Sequence, residues 1–191
     1  MPATTRSPKS KRDELIEVAA KLFYEQGYHC TGVQQIIQEA GIAKGTFYSH
    51  FKSKEALGCA WLKTRHSEWT GWLLDSISGK TTAKAKILGV FDFLGTWMQD
   101  CDYRGCAFMN TLSETPAIES PLRVEIVAHL NELKELMNQL VDDHLSARSK
   151  KERSDTSKVI FVLFEGALVE IRNTRDTSSL PAVKALVKRL L

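Results

Sequence analysis

Ala40-Gly41-Ile42-Ala43-Lys44-Gly45-Thr46-Phe47-Tyr48-Ser49-His50-Phe51, running on into Lys52-Ser53-Lys54-Glu55-Ala56-Leu57, is the stretch whose reading decides the fold. Gly41 sits where a tight turn between two helices needs a left-handed residue. Before it, Val33, Ile36 and Ile37 follow helical spacing, and Thr31-Gly32-Val33-Gln34 has the pattern of a capping box. After it, residues 44–50 form a helix too short to build a core of its own. Two short helices about a tight turn make a helix-turn-helix, and Ser53, with Glu55 behind it, caps a longer third element.

Working outward, Ser10 is placed to cap a helix carrying Leu15, Val18, Ala19, Leu22 and Phe23, which ends at Gly27. Prolines stand at positions 2, 8, 116, 121 and 181, so nothing breaks helix between Pro8 and Pro116. Further helices are expected over about 54–78, 82–100, 104–115, 122–140 and 155–173, with a short one over 180–190. Residues 116–121 read as a turn and 146–154 as a polar connection. No alternating strand pattern of useful length occurs. The expectation is an all-α chain in three parts: a mobile basic arm over 1–9, a helix-turn-helix domain over 10–53, and a helical domain over 54–191.

The 191 residues are 43% hydrophobic and 26% charged, ordinary usage for a globular chain with a sizeable core. The longest apolar run, Val159 to Phe164, is far short of the roughly 20 residues that span a bilayer. With no secretory signal behind the basic N-terminus, a cytoplasmic protein with no membrane partner is expected. Four cysteines without a CxxC pair, and no HExxH, leave no basis for a metal site. GxGxxG, GxxxxGK[ST] and GxSxG are absent too, so no cofactor and no enzymatic activity are expected. The net charge of +3 is unevenly spread: residues 1–65 carry +4 and the remainder −1. A basic N-terminal third on a neutral body is the electrostatic footprint of a nucleic-acid reader.

The helix-turn-helix is dense in groups suited to DNA. Lys44 and the first amides of its helix can meet phosphate, and Gly45 lets the backbone come close. Thr46 offers a hydroxyl and Phe47 an apolar face to a thymine methyl. Tyr48 and His50 can donate to phosphates, Lys52 and Lys54 add charge, and Thr31, Gln34 and Gln35 lie on the supporting helix. Phe51 reads as core, and His50 divides evenly between packing and contact.

These residues resemble the TetR-type transcriptional regulators. The resemblance is carried by Arg12-Asp13-Glu14-Leu15-Ile16, Ala19, Leu22-Phe23, Gly27-Tyr28, Thr31, Val33, Ile36 and the whole run from Ala40 to Leu57. Ala43 stands where that family often has a capping Ser, and Gln35 where it often has an acid. The resemblance implies a homodimer on a palindromic double-stranded operator, released by a small-molecule inducer held in the helical domain. It implies repression, with Glu165-Gly166-Ala167-Leu168 resembling the family's dimerisation helix. Val159, Phe161, Val162 and Val169 would join Glu165 and Gly166 in that interface, which suits a helix apolar on most faces.

All four tryptophans, Trp61, Trp69, Trp72 and Trp97, fall on the two helices with which such regulators wall their cavity. Phe91, Cys106, Phe108, Met109 and Met137 are candidates to complete an apolar pocket, with Asn110 and Glu114 as polar anchors. For each, ordinary core packing is the competing reading. An apolar, aromatic or cationic amphiphilic effector is expected. Cys101 and Cys106 flank a helix junction beside Arg104, where a thiol is either inert and buried or activated. The alternative for the whole chain is a helical-cavity enzyme or ligand carrier with a vestigial DNA-binding unit.

Overall fold

The computed structural model describes residues 10–115 and 117–191, so the expected arm over 1–9 and the turn residue Pro116 lie outside the described residues. Among these, the chain is helical without strands: α1 Lys11–Gln26, α2 Val33–Glu39, α3 Lys44–His50, α4 Lys54–Ser78, α5 Ala83–Asp100, α6 Ala107–Glu114, α7 Pro121–His144, α8 Lys150–Thr174 and α9 Leu180–Leu190. The caps explain most boundaries. Ser10 accepts from the Asp13 amide, Ser53 from Ala56 at 3.0 Å and Thr82 from Ala85 at 3.1 Å. Gly27 ends α1 at φ 99°, and Gly41 turns the chain between α2 and α3 at φ 61°.

Three local expectations are corrected. No capping box forms at Thr31: Gly32 is the N-cap of α2 without a side-chain bond, because the Thr31 hydroxyl turns back and donates to the Gly27 carbonyl at 2.8 Å. The polar run 146–154 is not all connection. Ser149 and Glu152 form a capping box that starts α8 at Lys150, five residues before the expected start. Arg104-Gly105 does not open α6, since Asp102, Tyr103 and Gly105 all take positive φ and helix resumes only at Ala107.

The chain divides into two compact units, residues 1–65 with 107–126, and residues 66–106 with 127–191. This differs from a boundary at residue 54, because α6 and the first turns of α7 belong with the N-terminal helices. In the first unit the core is Leu15, Ala19 and Phe23 of α1, Ile36 of α2, Phe47 of α3, and Leu57 and Trp61 of α4. Phe23 meets Trp61 at 5.2 Å and Tyr28 at 5.0 Å between ring centroids. Each large side chain buried this way contributes ~1.5–3 kcal/mol. In the second unit α5 packs against α8 and α9, with Phe91 on Phe164 and Leu94, Met98, Ile160 and Ile171 fully enclosed. Arg175 closes that unit's 101–103 turn, bonding the Asp102 carboxylate at 2.5 Å and stacking over Tyr103.

Candidate nucleic-acid interface and ligand pocket

In the first unit, α3 has one inward side and one outward side. Phe47 is completely buried, edge-on to Tyr48 at 5.1 Å and tilted against Phe51 at 6.4 Å. Lys44, Gly45, Tyr48, Ser49 and His50 are exposed, and a Cβ on Gly45 would meet nothing within 4 Å. Thr46 is half-buried with its neighbour Ser49 donating to its carbonyl. Gln34 and Lys52 are exposed and Gln35 half-buried. The outward set is therefore polar and basic around Tyr48, a residue 46% exposed.

Three residues expected at DNA are employed elsewhere. Phe47 has no free face to offer a base, because its ring is the plug between α3 and the rest of the core. Thr31 is fully buried, donating to Gly27 and accepting from Gln26 at 3.3 Å. Lys54 places its ammonium 3.0 Å from the Tyr28 carbonyl, 3.1 Å from that of Thr31 and 3.4 Å from that of His29. An ammonium has three donors, and these carbonyls engage all of them. The same ammonium lies 4.5 Å over the Tyr28 ring, and burial lowers its pKa. Burial, reinforced by Glu55 and Cys59, pushes the Tyr28 phenol up to about 12, so it stays neutral.

Glu114, expected at a ligand, grips the other side of the same turn. Its carboxylate accepts from the His29 amide at 2.6 Å, and a Cβ at Gly27 would come within 3.0 Å of it. The turn between α1 and α2 is thus held through its carbonyls by a cation and through an amide by an anion. A carboxylate 85 positions along the chain from its partner amide leaves no local trace in the sequence.

Of the eleven residues expected at a ligand, five lie in the first unit and six in the second. Trp61 packs on Phe23 and Phe91 on Phe164, both as core. Trp72 is 45% exposed, Phe108 is buried, and Met109 and Asn110 are half-buried with Phe108 in the first unit. Cys106 and Met137 are buried in the second. Trp69 and Trp97 do come together, edge-to-face at 5.6 Å, with Phe93 stacked on Trp97 at 6.0 Å. Both indole N–H groups are buried without a hydrogen-bond partner.

Beside Trp69, and wholly within the second unit, a partly open pocket of about 280 Å³ lies between α4 and α7. Trp69, Leu73 and Leu74 line it from α4; His129, Glu132, Leu133, Glu135, Leu136 and Gln139 line it from α7. His129 meets the Trp69 ring edge-on at 5.0 Å. Its Nδ1 lies 2.9 Å from Nδ1 of His66, whose Nε2 is 3.1 Å from Glu132, so a single proton is shared between the two Nδ1 atoms. Burial, with His66 nearby, pushes His129 down to about 3, and the ring is neutral at physiological pH. Sequence reasoning missed His129. The signal was there: it sits between Ile126 and Leu133 on the apolar seam of α7, where a polar residue needs a reason.

On α8 of the second unit, Val159, Val162 and Val169 are 45%, 65% and 47% exposed, and Gly166 is open, all on one helical face. Phe161 is not on that face. It is 5% exposed with the Lys134 ammonium 5.0 Å over its ring, since position 161 turns inward where 159 and 162 turn out. Glu165 is half-buried, and burial raises its carboxyl. No described helix is long and apolar enough to cross a membrane.

Residues 15–58 match the family model for the bacterial regulatory proteins of the tetR family. The transcriptional repressor KstR2 of Mycolicibacterium smegmatis is 46% identical over 56 residues, 29% of this chain and 27% of that protein. The match thus spans about a quarter of that relative's length. The repressor NemR of Escherichia coli is 22% identical over 185 residues, covering 94% of this chain and 93% of the relative. The fold is that of a TetR-family regulator structure from Streptomyces coelicolor, with a TM-score of 0.82 at 21% identity over 94% of this chain and 93% of that one.

Proposed function

We propose that the chain is a ligand-responsive transcriptional repressor of the TetR type acting on a palindromic operator, a reading supported by the family-model match over residues 15–58. The observation that carries the reading is the outward side of α3, where Lys44, Gly45, Tyr48 and His50 are exposed around a buried Phe47. Gln34, Gln35, Thr46 and Lys52 extend that surface. Thr46 and Gln34 contact base edges, whereas Lys44, Tyr48, His50 and Lys52 hold phosphates and set register. Lys54, Glu114 and Thr31 act behind this surface, fixing the turn that orients α2. Repression is the activity named for KstR2 and NemR, and it is the sign of regulation adopted here.

Two copies bring two recognition helices to successive major grooves, about 34–36 Å apart. The open valine face of α8 is the dimerisation surface, because three half-exposed valines beside an open glycine are apolar area that a second copy would cover. Val162→Asp is expected to shift the protein to monomer in sedimentation and to abolish tight operator binding. The second-unit pocket is the inducer site. Its ligand binds the DNA-incompetent state more tightly, and DNA reciprocally weakens ligand binding by the same factor.

The test is selection of binding sites from fragmented genomic DNA by the purified chain at near-physiological salt. An enriched palindrome with half-sites one helical turn or a small multiple apart supports the regulator. A ligand carrier with a vestigial DNA-binding unit would enrich no sequence, and a DNA organiser would leave a broad non-palindromic footprint.

A further inference from the structure

The cations of the first unit divide into those already engaged within it and those left over. Lys11 pairs with Glu14 at 2.7 Å and Lys63 with Glu125 at 3.3 Å. The Arg65 guanidinium lies 5.1 Å over the Tyr24 ring, and Lys54 is committed to three backbone carbonyls. Arg12 of α1 is exposed, as Lys44 and Lys52 are, and among the described residues no carboxylate pairs with it.

Packing brings Arg12 to the end of α3. Its guanidinium carbon lies 5.2 Å over the ring of Phe51, the C-cap of α3, and Phe51 in turn tilts against the buried Phe47. Phe51 is only 4% exposed, so its ring is a fixed platform. A cation attracted to a ring face needs no carboxylate to stay in place, and its N–H donors remain available to two phosphate oxygens at once. A planar fork anchored in this way also loses less freedom on binding than a lysine on an open stem.

The position fits that use. α3 has seven residues and is about 10 Å long, with Lys44 at its first position and Phe51 directly after its last. The major groove is about 12 Å wide, so a cation at each end of such a helix is spaced to meet phosphates on both sides of the groove. Lys44 serves one end. Lys54, just past the other end, is held by the α1–α2 turn instead.

We infer that Arg12 is a phosphate-binding residue of the DNA interface, held on Phe51 at the C-terminal end of the recognition helix in the place that Lys54 leaves open. The inference rests on the regulator reading above and adds α1 to the surface that meets duplex DNA. A phosphate contact sets register and affinity and does not select bases.

The test measures affinity of the full chain for the selected DNA and for random duplex across a salt series. Arg12→Met keeps a long side chain over Phe51 and removes the charge. It is expected to weaken both duplexes alike by about tenfold. The slope of log affinity against log salt should fall by about 0.9 per half-site, with the denaturation midpoint close to that of the unsubstituted chain. Arg12→Lys returns the charge without the planar fork, and should restore the slope while recovering only part of the affinity. Lys21 lies two and a half turns further along α1, on its opposite face, and Lys21→Met should change neither quantity. An unchanged slope in Arg12→Met, a loss confined to particular base pairs, or an equal loss in Lys21→Met overturns the inference. A lowered midpoint with an unchanged slope makes Arg12 a mere cover for Phe51 and overturns it too. If the unsubstituted chain selects no sequence, the regulator reading falls, and the slopes on random duplex still decide Arg12.

Discussion

The first unit and the tryptophan cluster of the second treat their buried donors in opposite ways. In the first, the buried hydroxyls of Thr31, Thr111, Thr115 and Ser120 donate at 2.8–2.9 Å, and Lys54 and Glu114 are committed to one turn. In the second, the Trp69 and Trp97 indole N–H groups are buried with no acceptor. A surface that must present Tyr48 and Lys44 at a fixed spacing needs a backbone with one conformation, and satisfied hydrogen bonds specify one. Fixed geometry belongs to the helix-turn-helix unit and unmet donors to the tryptophan cluster.

Four experiments would break or sharpen that contrast. Phe47→Ala empties the plug of the first unit and is expected to cost ~3–5 kcal/mol in chemical denaturation, losing the fold before any base preference. Stable protein with altered operator choice would show instead that the ring works at the DNA. Lys54→Met strips a cation from three carbonyls and should cost ~1–3 kcal/mol. Because that ammonium is not on a phosphate, the slope of log affinity against log salt should stay put, whereas Lys44→Ala and Lys52→Ala should each reduce it by about 0.9. A shallower slope for Lys54→Met would move that residue to the phosphates.

The pH dependence probes the second unit. A histidine depressed to about 3 in the folded chain binds fewer protons than the unfolded chain between that value and its ordinary one near 6.5. Its contribution is therefore fully present above about pH 6.5 and lost as pH falls toward 3, with a slope of at most ~1.4 kcal/mol per pH unit. His129→Gln should flatten that decline in acid titrations of stability, and an unchanged slope would assign it to other groups. Smallest of the four, Tyr48→Phe should leave stability untouched and weaken every DNA site alike by ~0.5–1.5 kcal/mol. A loss confined to particular base pairs would make Tyr48 a base reader.

Helix content was legible from residue pattern because caps and apolar spacing are local. Ser10, Ser53, Thr82 and Gly27 announce their helix ends within three or four positions, which is the range of the bonds involved. The reading went astray where a side chain had two local options: Thr31 looked like a cap but turned back to Gly27, and Ser149-Glu152 looked like loop but opened α8. The four tryptophans of α4 and α5 were visible as a set. Their division into core, surface and pocket was not, because Trp61, Trp69 and Trp72 differ in facing rather than in type.

By itself the chain of residue types determined an all-α protein with a basic helix-turn-helix at its N-terminal end, since periodicity, capping and charge act over a few residues. Tertiary structure alone decided that Phe47 is a plug, that Lys54 and Glu114 hold the α1–α2 turn, and that His66, His129 and Glu132 meet beside Trp69. Lys54 and Glu114 lie 23 to 85 positions from the turn groups they hold, and His66 lies 63 from His129; only packing of whole helices brings such groups within hydrogen-bonding range.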